Sequence, residues 1–130
     1  MQIVNLMTPN PIVINSDDTL ANAKAVMDRG RFRRLPVVDQ EKLVGIVTER
    51  DVREHTGYLG STRVNAAMRT ALITVSPYAT VEEAARLMLG HKIGGLPILD
   101  EGKLVGIVTT SDLLKALLVV VRATQHIMDA

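Results

Sequence analysis

The chain repeats itself. Displaced by 61 residues, Met7–His55 lies on Met68–Ala116 without a gap, and 16 of the 49 aligned positions are identical. One run, Lys42-Leu-Val-Gly-Ile-Val-Thr48, recurs unchanged as Lys103–Thr109, and the pairs Leu35-Pro36, Asp39 and Asp51 recur as Leu96-Pro97, Asp100 and Asp112. Two copies are too few for a self-propagating solenoid, which takes about three or more. Each copy is also shorter than the roughly 70 residues at which a lone core becomes comfortable. The two copies are therefore expected to bury their apolar faces on each other as one pseudo-symmetric domain. The boundaries are read as repeat 1 at 7–57, a linker at 58–67, repeat 2 at 68–121 and a C-terminal tail at 122–130.

Composition narrows the chemistry. The 130 residues contain no cysteine, so thiolate zinc sites, iron–sulfur clusters, disulfides and thiol nucleophiles are excluded. The three histidines, His55, His91 and His126, have no metal-ligand spacing, and no metal site is expected. Fifteen basic against fourteen acidic residues, with one Phe and two Tyr, disfavour a nucleic-acid binder that needs a basic surface and stacking rings. The segment Met1–Pro11 lacks the basic start and apolar run of a secretion signal, and the longest apolar stretch, Ala116–Val121, is too short to span a bilayer. A cytoplasmic chain with no membrane partner is expected. No nucleophile with an adjacent base, no catalytic carboxylate pair and no phosphate-cradling glycine loop is present, so no catalytic residue is assigned and no enzyme is expected.

Within each copy, periodicity and punctuation order the elements. Pro11–Ile14 and Leu72–Val75 read as short strands closed by turn residues. A helix follows each, capped by Thr19 or Thr80, with apolar stripes at Leu20, Ala23, Val26, Met27 and at Val81, Ala84, Ala85, Leu87, Met88. Gly30 and Gly90 fall where these helices should stop. Then come two strands across a tight polar turn, 35–38 with 43–47 and 96–99 with 104–108, and a second helix starting near Asp51 or Asp112. The fold class is α/β (α+β), as two pseudo-symmetric βαββα repeats packed sheet to sheet into one module.

Gly45-Ile-Val-Thr48-Glu-Arg-Asp51 and Gly106-Ile-Val-Thr109-Thr-Ser-Asp112 each set a hydroxyl and a carboxylate at a strand-to-helix junction. Two readings stand side by side. Thr-x-x-Asp is an imperfect capping box; equally, a carboxylate there can accept from both hydroxyls of a ribose while the helix N-terminus offers N–H groups to anions. The preceding glycine would permit a ligand's close approach. The basic run Arg29-Gly-Arg31-Phe-Arg33-Arg34 has no counterpart in the second copy, where Gly94 and Gly95 replace Arg33 and Arg34. It reads either as a solvated face or as guanidinium forks for phosphate. The last helix is apolar on nearly every side from Leu113 to Val121, which calls for cover from a second copy or from another protein.

The strand order, with Leu-Pro-Val-Val-Asp, Lys-Leu-Val-Gly-Ile-Val-Thr and the following Asp in both copies, resembles a tandem pair of CBS domains, the Bateman module, from about Met7 to Leu118. Leu87–Asp112 is especially similar to stand-alone bacterial and archaeal CBS-pair proteins of the acetoin-utilisation type. Those often carry a further small-molecule-binding domain, which is not expected within these 130 residues. The resemblance implies a non-catalytic sensor that binds AMP, ADP, ATP or S-adenosylmethionine in clefts between the repeats and signals through homodimer packing to a downstream protein. It implies that Asp51 and Asp112 hold ribose, that Thr48 and Thr109 lie near phosphate, and that Arg33 and Arg34 reach toward phosphate. It also implies that Ile12, Val13, Met68 and Ile73 wall the base. The adenine nucleotide would be a regulatory ligand, with no obligatory cofactor. A dimerisation scaffold without ligand and nucleic-acid binding through the arginine run are the alternatives.

Overall fold

Each copy builds its sheet around a hairpin, and the hairpin turns explain their own sequence. The computed structural model describes residues 1–129. In the first copy, β3 (Arg34–Asp39) and β4 (Lys42–Thr48) pair antiparallel with a bulge between Val37 and Val38. Their two-residue turn puts Gln40 and Glu41 at φ 49° and 67°. Positive φ at both central residues is the geometry whose twist matches a right-handed strand pair. In the second copy, the hairpin of β5 (Gly95–Asp100) and β6 (Lys103–Thr109) has Glu101 and Gly102 at φ 50° and 80°, so a glycine takes the position that Glu41 occupies under strain.

The chain divides into two compact units, one comprising Pro11–Leu72 with Gly102–Leu104, the other Met1–Asn10, Ile73–Glu101 and Val105 onward. In the first unit, β2 (Ile14–Asn15) runs parallel to β3, giving a three-stranded sheet in the order β2-β3-β4. Helix α1 (Leu20–Gly30) follows with Thr19 as its N-cap, the hydroxyl accepting from Asn22 N at 3.1 Å. Helices α2 (Glu49–Glu54) and α3 (Val64–Ala67) complete it. Leu20, Ala23, Met27, Leu35, Val37, Val47, Val52 and Val64 form one buried cluster, as the stripe of α1 and the alternation of β4 require.

The second unit has the same plan with the chain's own beginning built in. β1 (Thr8–Pro9) pairs antiparallel with β6, with Thr8 opposite Ile107 and Pro9 opposite Gly106, giving the sheet order β1-β6-β5. Helix α4 (Val81–His91) carries Thr80 as N-cap, and α5 runs from Thr110 to Asp129. Ile3, Val75, Ala84, Met88, Leu96, Ile98 and Val108 make its core.

The structure departs from the sequence reading in four regions, the first being the leading segments together with the stretch 58–67. The leading segments belong to the opposite copy's unit: Thr8 pairs with Ile107 in the second unit, and Arg69 bridges Ile46 in the first. Residues 58–67, expected as a linker, contain α3 with Val64 fully buried. Their carbonyls also satisfy the open end of α1, Leu20 N donating to Thr62 O at 2.9 Å and Ala21 N to Leu59 O at 3.0 Å. Met1 O does the same for Val81 N of α4 at 3.0 Å. Second, residues 122–129, expected as a tail, continue α5, since nothing from Arg122 to Asp129 breaks a helix. Third, the strand at Pro11–Ile14 shrinks to Ile14–Asn15, and that at Leu72–Val75 to a single bridge between Val75 and Ile98. Fourth, the left-handed stop positions are taken by Arg31 at φ 57° and Lys92 at φ 54°, one residue past helix ends at Gly30 and His91. Gly30 serves packing instead, because the Phe32 ring occupies the space a Cβ would need.

Candidate functional site

The two strand-to-helix junctions share one geometry. At the end of β4, Thr48 has an extended backbone and caps α2, so the helix starts at Glu49 rather than near Asp51. Its hydroxyl oxygen accepts from Asp51 N at 3.3 Å, while Asp51 Oδ2 accepts from Thr48 N at 2.8 Å and from the Thr48 hydroxyl at 3.0 Å. At the end of β6, Asp112 Oδ2 accepts from Thr109 N at 2.8 Å and from the Thr109 hydroxyl at 3.1 Å, and Asp112 N approaches Thr109 Oγ1 at 3.4 Å. Both sites are therefore capping boxes, with aspartate where glutamate is usual.

The cap uses one oxygen of each carboxylate. Oδ1 of Asp51 and of Asp112 accepts no hydrogen bond among the described residues, and both side chains are only half-buried. A carboxylate whose Oδ2 is fixed by two donors is held in one rotamer, which aims the other oxygen at a constant place. The helix ends are less open to anions than their position suggests. Glu49 N donates to Arg33 O at 2.9 Å and Thr110 N to Gly94 O at 3.0 Å, so these amides are already paired.

The glycines preceding each junction admit the chain itself rather than leaving an open approach. A Cβ on Gly45 would lie 2.5 Å from Met68 Sδ and 3.0 Å from Arg69 O. On Gly106 it would lie 2.5 Å from Met7 Sδ and 3.0 Å from Thr8 O. Met68 thus packs over Gly45 against the first unit's core. Ile73 is half-buried against the second unit's core. Ile12 and Val13 are 52% and 38% exposed on the segment leading into β2, free to act as an apolar wall.

The basic run splits into unlike members. Arg34, at the start of β3, is half-buried, and burial lowers its guanidinium pKa below the ordinary arginine value, with repulsion from Arg33 adding to the fall. Arg33 is exposed and borders a groove of about 540 Å³ within the first unit, lined also by Lys24, Met27, Asp28, Arg31, Phe32, Glu49, Val52 and Arg53. The sequence run pointed to Arg31 and Arg33. It did not point to Lys24 or Arg53, which α1 and α2 bring alongside from distant positions; helical spacing between 24, 28 and 31 was the available signal. Among the described residues, no helix is long and apolar enough to cross a membrane.

The CBS domain family model matches residues 3–57 and 64–119, which together cover most of the chain and place each match's start at the leading segments Ile3 and Val64. Solved structures agree over their full length. A Vibrio cholerae protein designated AcuB, for acetoin utilization, superposes with a TM-score of 0.85 at 32% identity, covering 97% of this chain and 96% of that one. The CBS domain pair of protein MJ0100, in complex with 5′-methylthioadenosine and S-adenosyl-L-methionine, has a TM-score of 0.83 at 26% identity and covers 90% and 99%. CBSX2 in complex with AMP has a TM-score of 0.80 at 28% identity and covers 92% and 97%. With both repeats matched by the family model and the whole chain superposing on solved CBS pairs, the chain belongs to the CBS domain family.

Proposed function

We propose that this chain is a non-catalytic regulatory module of the cytoplasm that binds an adenosine-containing ligand, such as AMP, ADP, ATP or S-adenosylmethionine, at its strand-to-helix junctions. Asp51 and Asp112 accept from the ribose hydroxyls through Oδ1, the oxygen the capping box leaves over. Thr48 and Thr109 lie near phosphate, Arg33 and Arg34 supply cations for it, and Ile12, Val13, Met68 and Ile73 provide aliphatic contact for the base. Met68 and Ile73 do so with whatever surface their core packing leaves exposed.

The observation that carries this reading is the matched pair of half-buried carboxylates, each with one oxygen fixed and one spare. Support also comes from relatives of the same fold, MJ0100 and CBSX2, whose structures hold adenosyl compounds. Two copies pair into a homodimer through the apolar helix α5, and ligand occupancy biases that pairing for a downstream protein to read. Thermal denaturation in the presence of AMP, ADP, ATP and S-adenosylmethionine tests the proposal. At least one must raise the melting temperature in proportion to the logarithm of its concentration, and four flat titrations would leave only the scaffold reading.

A further inference from the structure

The first unit carries a groove whose charges the fold itself does not require. Helices α1 and α2 and the segment between α1 and β3 border the space of about 540 Å³. Buried Met27 and Val52 supply its apolar floor, and the Phe32 ring is 37% exposed beside it. Four exposed cations, Lys24, Arg31, Arg33 and Arg53, line it with two exposed carboxylates, Asp28 and Glu49. Lys24 and Asp28 are paired at 2.6 Å. The guanidinium groups of Arg31, Arg33 and Arg53 and the carboxylate of Glu49 have no ion pair or hydrogen bond among the described residues. The second repeat is the internal control. Its floor stays apolar as Met88 and Leu113, but Lys24, Arg31, Arg33 and Arg53 give way to Ala85, Lys92, Gly94 and Leu114. One cation at these positions is enough for the same fold, so the other three are surplus to folding.

Resting on the reading that a downstream protein senses this module, we infer that the groove is where that protein docks, through an acidic peptide segment carrying one apolar anchor side chain. Unpaired guanidiniums offer the planar forks that carboxylates accept in pairs. Arginine and aromatic side chains are also the types that carry most of the binding energy at protein interfaces. Phe32 and the floor beneath it give the anchor an apolar contact. The two carboxylates of the groove decide what kind of anion fits. Phosphate oxygens only accept hydrogen bonds, so a polyphosphate or a nucleic-acid backbone would be repelled by Asp28 and Glu49 and give Glu49 no donor. A peptide brings carboxylates for the arginines and backbone N–H groups for Glu49 together. A nucleic-acid strand also gains from several stacking rings, and Phe32 is the only ring in the groove's lining. Of the residues assigned above to the adenosyl ligand, Arg33 alone borders the groove, so this is a separate site.

The test is fluorescence polarisation with dye-labelled peptides of glutamate and aspartate, about ten residues long, that differ in a single central leucine, phenylalanine or serine. The leucine or the phenylalanine peptide should saturate the parent chain, and the serine peptide should bind more weakly. The double variant Arg31→Gln, Arg53→Gln, its folding confirmed by circular dichroism, should bind the anchored peptide at least tenfold more weakly. Arg86→Gln with Arg122→Gln removes the same charge outside the groove and should leave the affinity within about twofold of the parent's. Equal losses in the two double variants would reduce the binding to net charge and overturn the site. So would peptides that fail to bind, or tripolyphosphate or a single-stranded RNA that binds through Arg31 and Arg53 where the peptides do not. The regulatory reading is judged separately, because the Arg31→Gln, Arg53→Gln chain should keep the parent's thermal shifts with adenosyl ligands. Shifts retained without peptide binding would sink the docking site alone, and peptide binding without any shift would sink the ligand reading alone.

Discussion

Adding one methyl group to Gly106 or Gly45 should damage the fold where each leading segment crosses its hairpin. At Gly106 the new Cβ would sit 2.5 Å from Met7 Sδ, 3.1 Å from Met7 Cγ and 3.0 Å from Thr8 O. The methionine can swing aside, having three free torsions. The carbonyl cannot, because Thr8 and Pro9 are fixed opposite Ile107 and Gly106 in the β1–β6 register. At Gly45 the corresponding obstruction is Arg69 O at 3.0 Å, held by reciprocal bonds of 3.0 and 2.8 Å between Ile46 and Arg69. Overpacking of this kind costs about 1–3 kcal/mol, offset by about 0.5–1 kcal/mol from removing a flexible glycine from a strand. A net loss of about 1–2 kcal/mol should appear in urea titrations as a lower midpoint with an unchanged slope. Gly90→Ala is the matched control. It lies inside α4 with nothing within 4 Å of its Cβ, so the same change should stabilise by about 0.5–1 kcal/mol. Equal midpoints for Gly45→Ala, Gly106→Ala and the parent would refute the crossing of the leading segments.

Other outcomes follow from the same geometry. Glu41→Gly should raise stability by about 1 kcal/mol in thermal or urea unfolding, because it relieves a left-handed residue that the second hairpin already fills with Gly102. Asp51→Ala and Asp112→Ala should each cost about 0.5–2 kcal/mol through loss of a capping interaction, whether or not ligand is present. Arg33→Ala and Arg34→Ala should weaken ATP binding more than adenosine binding in calorimetric titrations, and equal weakening would remove phosphate from their role.

Much of this architecture was legible from the residues because the repeat supplied its own control. The stripes of α1 and α4, their threonine caps and the two hairpins followed from spacing alone, and the capping-box alternative for Thr48 and Asp51 matches the observed bonds. The leading segments were not legible. A two-residue strand such as Thr8–Pro9 has no periodicity to read, and pairing with a hairpin about a hundred residues away leaves no local mark. Nor did the pattern show that Gly45 and Gly106 receive Met68 and Met7. A strand glycine announces a close approach without naming what approaches. The spare carboxylate oxygens were likewise hidden, since Thr-x-x-Asp reads the same whether or not Oδ1 is occupied.

Calorimetric titration of AMP, ADP, ATP and S-adenosylmethionine into the parent chain and into the double variant Asp51→Glu, Asp112→Glu separates ribose binding from helix capping. Glutamate preserves the capping box yet carries its free oxygen one methylene further out. The account predicts saturable heat with at least one ligand for the parent, and a variant of unchanged melting temperature whose affinity falls at least tenfold. Heat that is absent for all four ligands, or that survives the double substitution at full affinity, would contradict it.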